Sequence, residues 1–202
     1  MDAHGCGDKD RERSAMSEDV TPFLFGWKLS EVVVIDDHLR LRSGTVGVLV
    51  EPEATAHCFK HRDHLAPVAN CACGFFARTA SESLVLYSRY PFSHLLEVEL
   101  SGRVLAQRAE MRAEHQRVLR LLLLPTCYQC GAVASMLTEP PPSRSRIEVF
   151  PAPALTSVCE DCAGARWWLR SEVQHELGIP VSWAVPSEAL VLHGVGMNFG
   201  DH

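Results

Sequence analysis

Seven of the eight cysteines in this 202-residue chain fall into two groups, one accompanied by histidines, and these are the residues whose chemistry can be read first. The later group is Cys127-Tyr-Gln-Cys130-Gly131 followed by Cys159-Glu-Asp-Cys162, a C-x2-C-x28-C-x2-C pattern. Two such pairs present four thiolates to one ion, the soft tetrahedral set that zinc prefers. Gly131 suits the turn after the first pair, because the chain after such a pair often takes positive φ. Two redox-active C-x2-C pairs are the competing chemistry. The 28-residue spacer exceeds the usual span of such fingers and carries a Pro-rich stretch at 139–142. After Cys162 the sequence reads as a helix ending at Gly178, before Pro180. That would place Cys159 and Cys162 near a helix N-terminus, where backbone dipoles favour thiolate.

The earlier group is denser. His57, Cys58, His61, His64, Cys71 and Cys73 lie within 17 positions, with Gly74 after the last cysteine. Cys71-x-Cys73-Gly74 can form a tight knuckle, and Cys58 with one imidazole would complete a set of three cysteines and one histidine. His64 is the first choice for that imidazole and His61 the second. His57, adjacent to Cys58, should point away in an extended segment. Zinc is the expected metal. Iron stays open, although the spacing matches no common iron–sulfur pattern. Cys6 is left over as a free thiol.

The stretch Cys58-x5-His64-x-Ala66-Pro67-x3-Cys71-x-Cys73-Gly74-Phe75-x-Ala77 resembles a motif of small actinobacterial and actinophage proteins. The motif there runs roughly C-x5-H-x-A-P-x3-C-x-C-G-[IF]-[YFH]-A. Gly26-Trp27-Lys28, Gly102-x-Val104 and the Arg112-Ala113 pair are similar flanking features, so the resemblance spans residues 23–130. It implies His64 over His61 as the ligand and carries no activity with it. The run of leucines at 121–124 before Cys127 departs from that pattern.

Other elements must position these residues. The composition, 47% hydrophobic and 22% charged, is that of a globular chain able to bury a core. A net charge of −6 disfavours a globally basic nucleic-acid protein. Residues 1–21 are acidic and poor in bulky apolar side chains, the composition of a disordered tail. They lack the pattern of a secretory signal, and no apolar run approaches the ~20 residues of a membrane span. A cytoplasmic chain with reduced thiols is expected. Segments 31–36, 39–43, 45–51, 83–87 and 146–150 read as strands, and 95–107 as a hairpin turning at Ser101-Gly102. Residues 109–124 read as a helix, with Met111, His115, Val118, Leu119 and Leu122 on one face; strand competes over 118–124. Trp167-Trp168 on a helix would point about 100° apart, one packed and one near the surface.

The expected fold class is α+β. A β-rich part at 22–125 carries the three-cysteine, one-histidine metal loop and a helix. A four-cysteine zinc-ribbon or treble-clef-like finger follows at 126–178, then a tail at 179–202. The expected ligands are Cys58, His64, Cys71 and Cys73 for one zinc, and Cys127, Cys130, Cys159 and Cys162 for a second. Both sets are closed, whereas a catalytic zinc keeps a position open. The H-x-E of zinc deaminases, H-E-x-x-H, a nucleophile elbow and a P-loop are all missing from the sequence. The expectation is therefore a non-catalytic module that binds a protein or nucleic acid, with no membrane and no small-molecule substrate. A nucleic-acid-binding regulator and a thiol–zinc redox sensor are the rivals. Arg103, Arg108, Arg112, Arg117 and Arg120 against Glu110 and Glu114 make a locally basic stretch, read as a solvated face or as a nucleic-acid strip.

Overall fold

Alternation organises the longest strands. Leu96, Val98 and Leu100 are fully buried on one side of their strand, while Glu97 and Glu99 face outward into ion pairs. The computed structural model describes residues 23–44, 47–60, 64–79, 93–140 and 152–184. In chain order these form β1 (Leu24–Ile35), β2 (His38–Ser43), β3 (Glu53–Thr55), β4 (Phe75–Arg78), β5 (His94–Gln107), β6 (Glu110–Leu123), β7 (Met136–Thr138), β8 (Thr156–Val158), β9 (Trp167–Leu169), α1 (Arg170–Leu177) and β10 (Val181–Trp183). A 3-10 turn, Glu160–Cys162, precedes β9. Among the described residues the molecule is mostly β with one short helix.

β1 and β2 make a hairpin through Asp36 and Asp37, both at positive φ, with Ile35 opposite His38. This is the two-residue turn that matches strand twist, and Asp tolerates its left-handed conformation. β1 pairs on its other side with β5, β5 with β6, β6 with β4, and β4 returns to β1 at Trp27–Arg78. These four strands close a ring. β3 and the parallel β10 continue along the edge of β6 that β4 begins. Inside lie Val32, Ala77, Leu96, Val98, Leu100, Met111, Ala113, Val118 and Leu121. A polar pair lies at this interior: Lys28 Nζ donates to Gln116 Oε1 at 2.7 Å, and burial pushes the Lys28 amine down to about 8.

β7, β8 and β9 form a second, three-stranded sheet. It shares the core of the ring, because Leu137 of β7 and Leu155, just before β8, belong to the same buried cluster, as does Val173 of α1. Leu155 N–H donates to the Val32 carbonyl at 2.7 Å, and Arg42 Nη1 donates to the Ala152 carbonyl at 2.7 Å. Arg42 is itself buried and paired with Glu31.

Several expectations need correction. Residues 109–124 are not a helix: they are the turn 108–109 and strand β6. Inward positions run 111, 113, 116, 118, 121 and 123, with the jumps of three beside the two irregularities of the β5–β6 register. Those jumps imitate helical spacing. Ser101-Gly102 is not a hairpin turn either. β5 runs through it, and Gly102 at φ +73° forms a bulge that adds a residue opposite Glu114. The real turn is at Arg108, where φ is +54°. The strand expected at 45–51 reduces, among described residues, to the bridge Arg42–Leu49, and β3 follows it. The helix after Cys162 starts only at Arg170, behind β9, and ends at Gly178. The tryptophans therefore diverge on a strand: Trp168 packs on the core and Trp167 is exposed. Part of the expected C-terminal tail, Val181–Trp183, is a strand of the main sheet. The tail at 1–21, Cys6, and the strands at 83–87 and 146–150 lie outside the described residues.

Candidate metal centres

The first centre is built between β3 and β4. After β3 the Ala56 N–H donates to the Glu114 carbonyl at 2.7 Å, which starts the loop against β6. Cys58 and His64 come from the outgoing limb, and Cys71 and Cys73 from a turn closed by Cys71 N–H to the Val68 carbonyl at 3.1 Å. The donor atoms of all four lie within 4.8 Å of one another. Cys58 Sγ is 3.6 Å from Cys71 Sγ, and His64 Nε2 is 3.3 Å from Cys73 Sγ. A tetrahedral zinc ion with ordinary bond lengths separates two sulfurs by ~3.8 Å and a sulfur from a nitrogen by ~3.6 Å. The set therefore has the dimensions of a single-ion site. His57 lies outside it, exposed on a neighbouring cleft. His61 lies outside the described residues.

Gly74 is where the loop enters β4. Its φ is +106°, and a Cβ there would meet Pro67 Cβ at 2.8 Å and the Ala113 carbonyl at 3.2 Å. Only glycine lets the chain pass between Pro67 and β6. Two arginines of the β5–β6 hairpin hold the loop from outside. Arg103 Nη1 donates to the Leu65 carbonyl at 3.2 Å. Arg112 Nη1 faces the carbonyls of Val68 and Cys73, each at 3.4 Å, and that of Cys71 between them. Neither role is visible in the sequence pattern, because an arginine whose partners are distant backbone carbonyls leaves no spacing signature. The Arg112-Ala113 pair in the resemblance is the one available signal. A cleft of about 370 Å³ opens beside Cys58 and His64. Phe59, 98% exposed, and Leu65, 67% exposed, line it.

The second centre joins Cys127, Cys130, Cys159 and Cys162, again with all donors within 4.8 Å. Cys130 Sγ and Cys159 Sγ are 3.6 Å apart. The first pair sits on a knuckle in which Cys127 N–H bonds the Ala132 carbonyl and Gly131 N–H the Cys127 carbonyl. The second pair sits on the Glu160–Cys162 turn. Tyr128 N–H to the Ser157 carbonyl at 2.9 Å and Ser135 N–H to that of Val158 at 2.9 Å tie the knuckle to β8. Met136 and Val158 pack behind Cys127, which is buried; Cys130 is exposed.

The thiols of this centre are not equivalent. Burial pushes Cys127 up, but hydrogen bonds from the backbone of Cys130, Cys159 and Gln129 and from the Cys130 side chain outweigh it and bring it to about 6. Burial and the hydrogen bond with Cys130 raise Cys159. Hydrogen bonds with Cys130 and Cys159, then burial, push Cys162 up to about 12. The Cys127 thiolate thus sits among donated backbone amides, and a divalent ion entering the set would displace the protons held by Cys159 and Cys162. The expected helix dipole plays no part here, since α1 begins well beyond Cys162; knuckle amides supply the positive field instead.

The eight expected ligands are therefore brought together as two four-donor sets. Comparison of the chain with protein-family models, curated proteins and solved structures finds no match in any of the three. Among the described residues no helix is long and apolar enough to cross a membrane.

Proposed function

We propose that this chain is a non-catalytic, cytoplasmic module that two structural zinc ions hold in shape and that binds a protein partner. The supporting observation is the pair of four-donor sets, each complete without water or substrate. A closed set of thiolates suits structure better than Lewis-acid chemistry. Cysteines grouped as two metal-ligand sets suit a reducing compartment better than a disulfide framework does. The four-cysteine centre is closer to a zinc ribbon than to a treble clef: its second pair leads into β9 of a three-stranded sheet, not directly into a helix. On this reading the first centre belongs with the resembling actinobacterial and actinophage motif, with His64 as its nitrogen ligand.

The contact surface on this reading is the cleft between Phe59 and Leu65. Two large apolar side chains standing in solvent beside a braced loop form a natural anchor for a partner side chain. A nucleic-acid role has less support. Arg117 is paired with Glu99 and Arg120 with Glu97, which neutralises the basic stretch where it crosses the sheet. The test is a photo-crosslinking residue at position 59 in the zinc-loaded protein. Repeated capture of one protein, lost in Leu65→Ser, is expected. Cross-links chiefly to nucleic acid, with steeply salt-dependent binding, would favour the rival.

Exposed Cys130, 3.6 Å from Cys159, supports a second reading for the four-cysteine centre alone, zinc release on thiol oxidation. Low-dose peroxide would then release one zinc reversibly; full retention contradicts this.

A further inference from the structure

We propose that Arg112 is the counter-charge and positioning residue of the three-cysteine, one-histidine centre, an inference that rests on a divalent ion being bound by Cys58, His64, Cys71 and Cys73. Three thiolates and a neutral imidazole around such an ion leave one net negative charge. Among the described residues, the guanidinium of Arg112 is a cation that reaches the same turn. Its Nη1 is directed at the carbonyls of Val68, Cys71 and Cys73, the backbone of the segment that carries two of the four ligands. A carbonyl facing a guanidinium turns its peptide plane toward that group, which fixes the direction in which the attached Cα–Cβ bonds present their sulfurs.

Arg112 is itself held firmly. Its backbone is paired with Phe76 of β4 on one side and Leu105 of β5 on the other. Its side chain therefore projects from the middle of a ladder onto the loop. The adjoining residue, Ala113, is fully buried, and its carbonyl would lie 3.2 Å from a Cβ on Gly74. The Arg112-Ala113 pair and the Cys73-Gly74 step are thus two halves of one joint. All of these contacts run from Nη1, whose N–H groups are held in the plane of a permanently charged guanidinium; an ammonium offers the charge without that fixed plane.

The test follows zinc loss from the full-length chain during a chelator titration, with cysteine alkylation mapped by mass spectrometry to show which set opens. In Arg112→Gln, Cys58, Cys71 and Cys73 are expected to become reactive at roughly ten- to a hundred-fold lower chelator, the usual effect of removing an outer-shell partner. The four cysteines of the second set should keep their wild-type protection. Arg112→Lys should fall between, rescued in charge but not in geometry. Circular dichroism checks that the sheet persists. Wild-type protection of the first set in both variants, or equal loss from both sets, would overturn the assignment. Full reactivity of Cys58, Cys71 and Cys73 in untreated wild-type protein would instead overturn the metal reading beneath it.

Discussion

The two four-donor sets are held by opposite means. The set containing His64 sits on an excursion from the ring, and side chains of Arg103 and Arg112 fasten it there. The four-cysteine set is fastened by backbone: a knuckle bonded to β8, a small sheet, and a shared core through Leu137 and Leu155. On the proposed reading the first ion orders a loop and shapes a surface, while the second ion is part of the fold's own stability. Losing them should therefore have unequal consequences.

The largest effect is expected from Cys127→Ser. On the proposed reading it removes a buried ligand, and its ion would contribute folding free energy directly. One zinc should be lost, the three-stranded sheet should unfold, and Tm should fall on the order of 10 °C or more. Cys71→Ser should also lose one zinc but lower Tm by only a few degrees, about a third as much, because the ring keeps its own core. Equal effects on Tm would break the comparison.

Acid should separate the centres from the ring. Burial pushes the His94 imidazole down to about 4 from an ordinary 6.5. The unfolded chain then binds a proton that the folded chain refuses between those values. Stability present above pH 6.5 falls as pH drops toward 4, by at most about 3 kcal/mol. Denaturant melts across that window should show this loss in wild type and a flatter profile in His94→Leu. Zinc release from the four-cysteine set should be the same in both proteins, since it follows reprotonation of its own thiols.

A smaller effect is expected from Gly74→Ala. A Cβ there is strained at φ +106° and collides with Pro67, at a cost of about 1–3 kcal/mol. The chelator sensitivity of the first set should rise and that of the second should stay. The smallest effect belongs to Arg117→Ala, on an exposed ion pair with Glu99. Zinc content should be unchanged and Tm should move by about 1 °C or less.

The two four-donor groups were legible in the sequence because metal chemistry would impose residue type and spacing directly. Cys58, Cys71, Cys73, Cys127, Cys130, Cys159 and Cys162 needed no knowledge of the fold to be grouped, and His64, the first-choice imidazole, is the one the structure brings beside the first three. The β1–β2 hairpin was legible too, from β-branched residues around Asp36-Asp37. What was illegible has a common cause in strand irregularity. A bulge and a register shift turned β6 into a helical pattern, and Gly102 presented the same glycine signal whether it turned the chain or bulged it. Arg112 escaped because its partners are peptide carbonyls brought close only by the ring.

The central claim is tested most directly by the elemental metal content of protein purified without chelator, with a visible absorption spectrum of the same sample. The account predicts two zinc ions per chain, one for each four-donor set, and no colour. A single zinc, no metal, or iron with visible absorbance would contradict it.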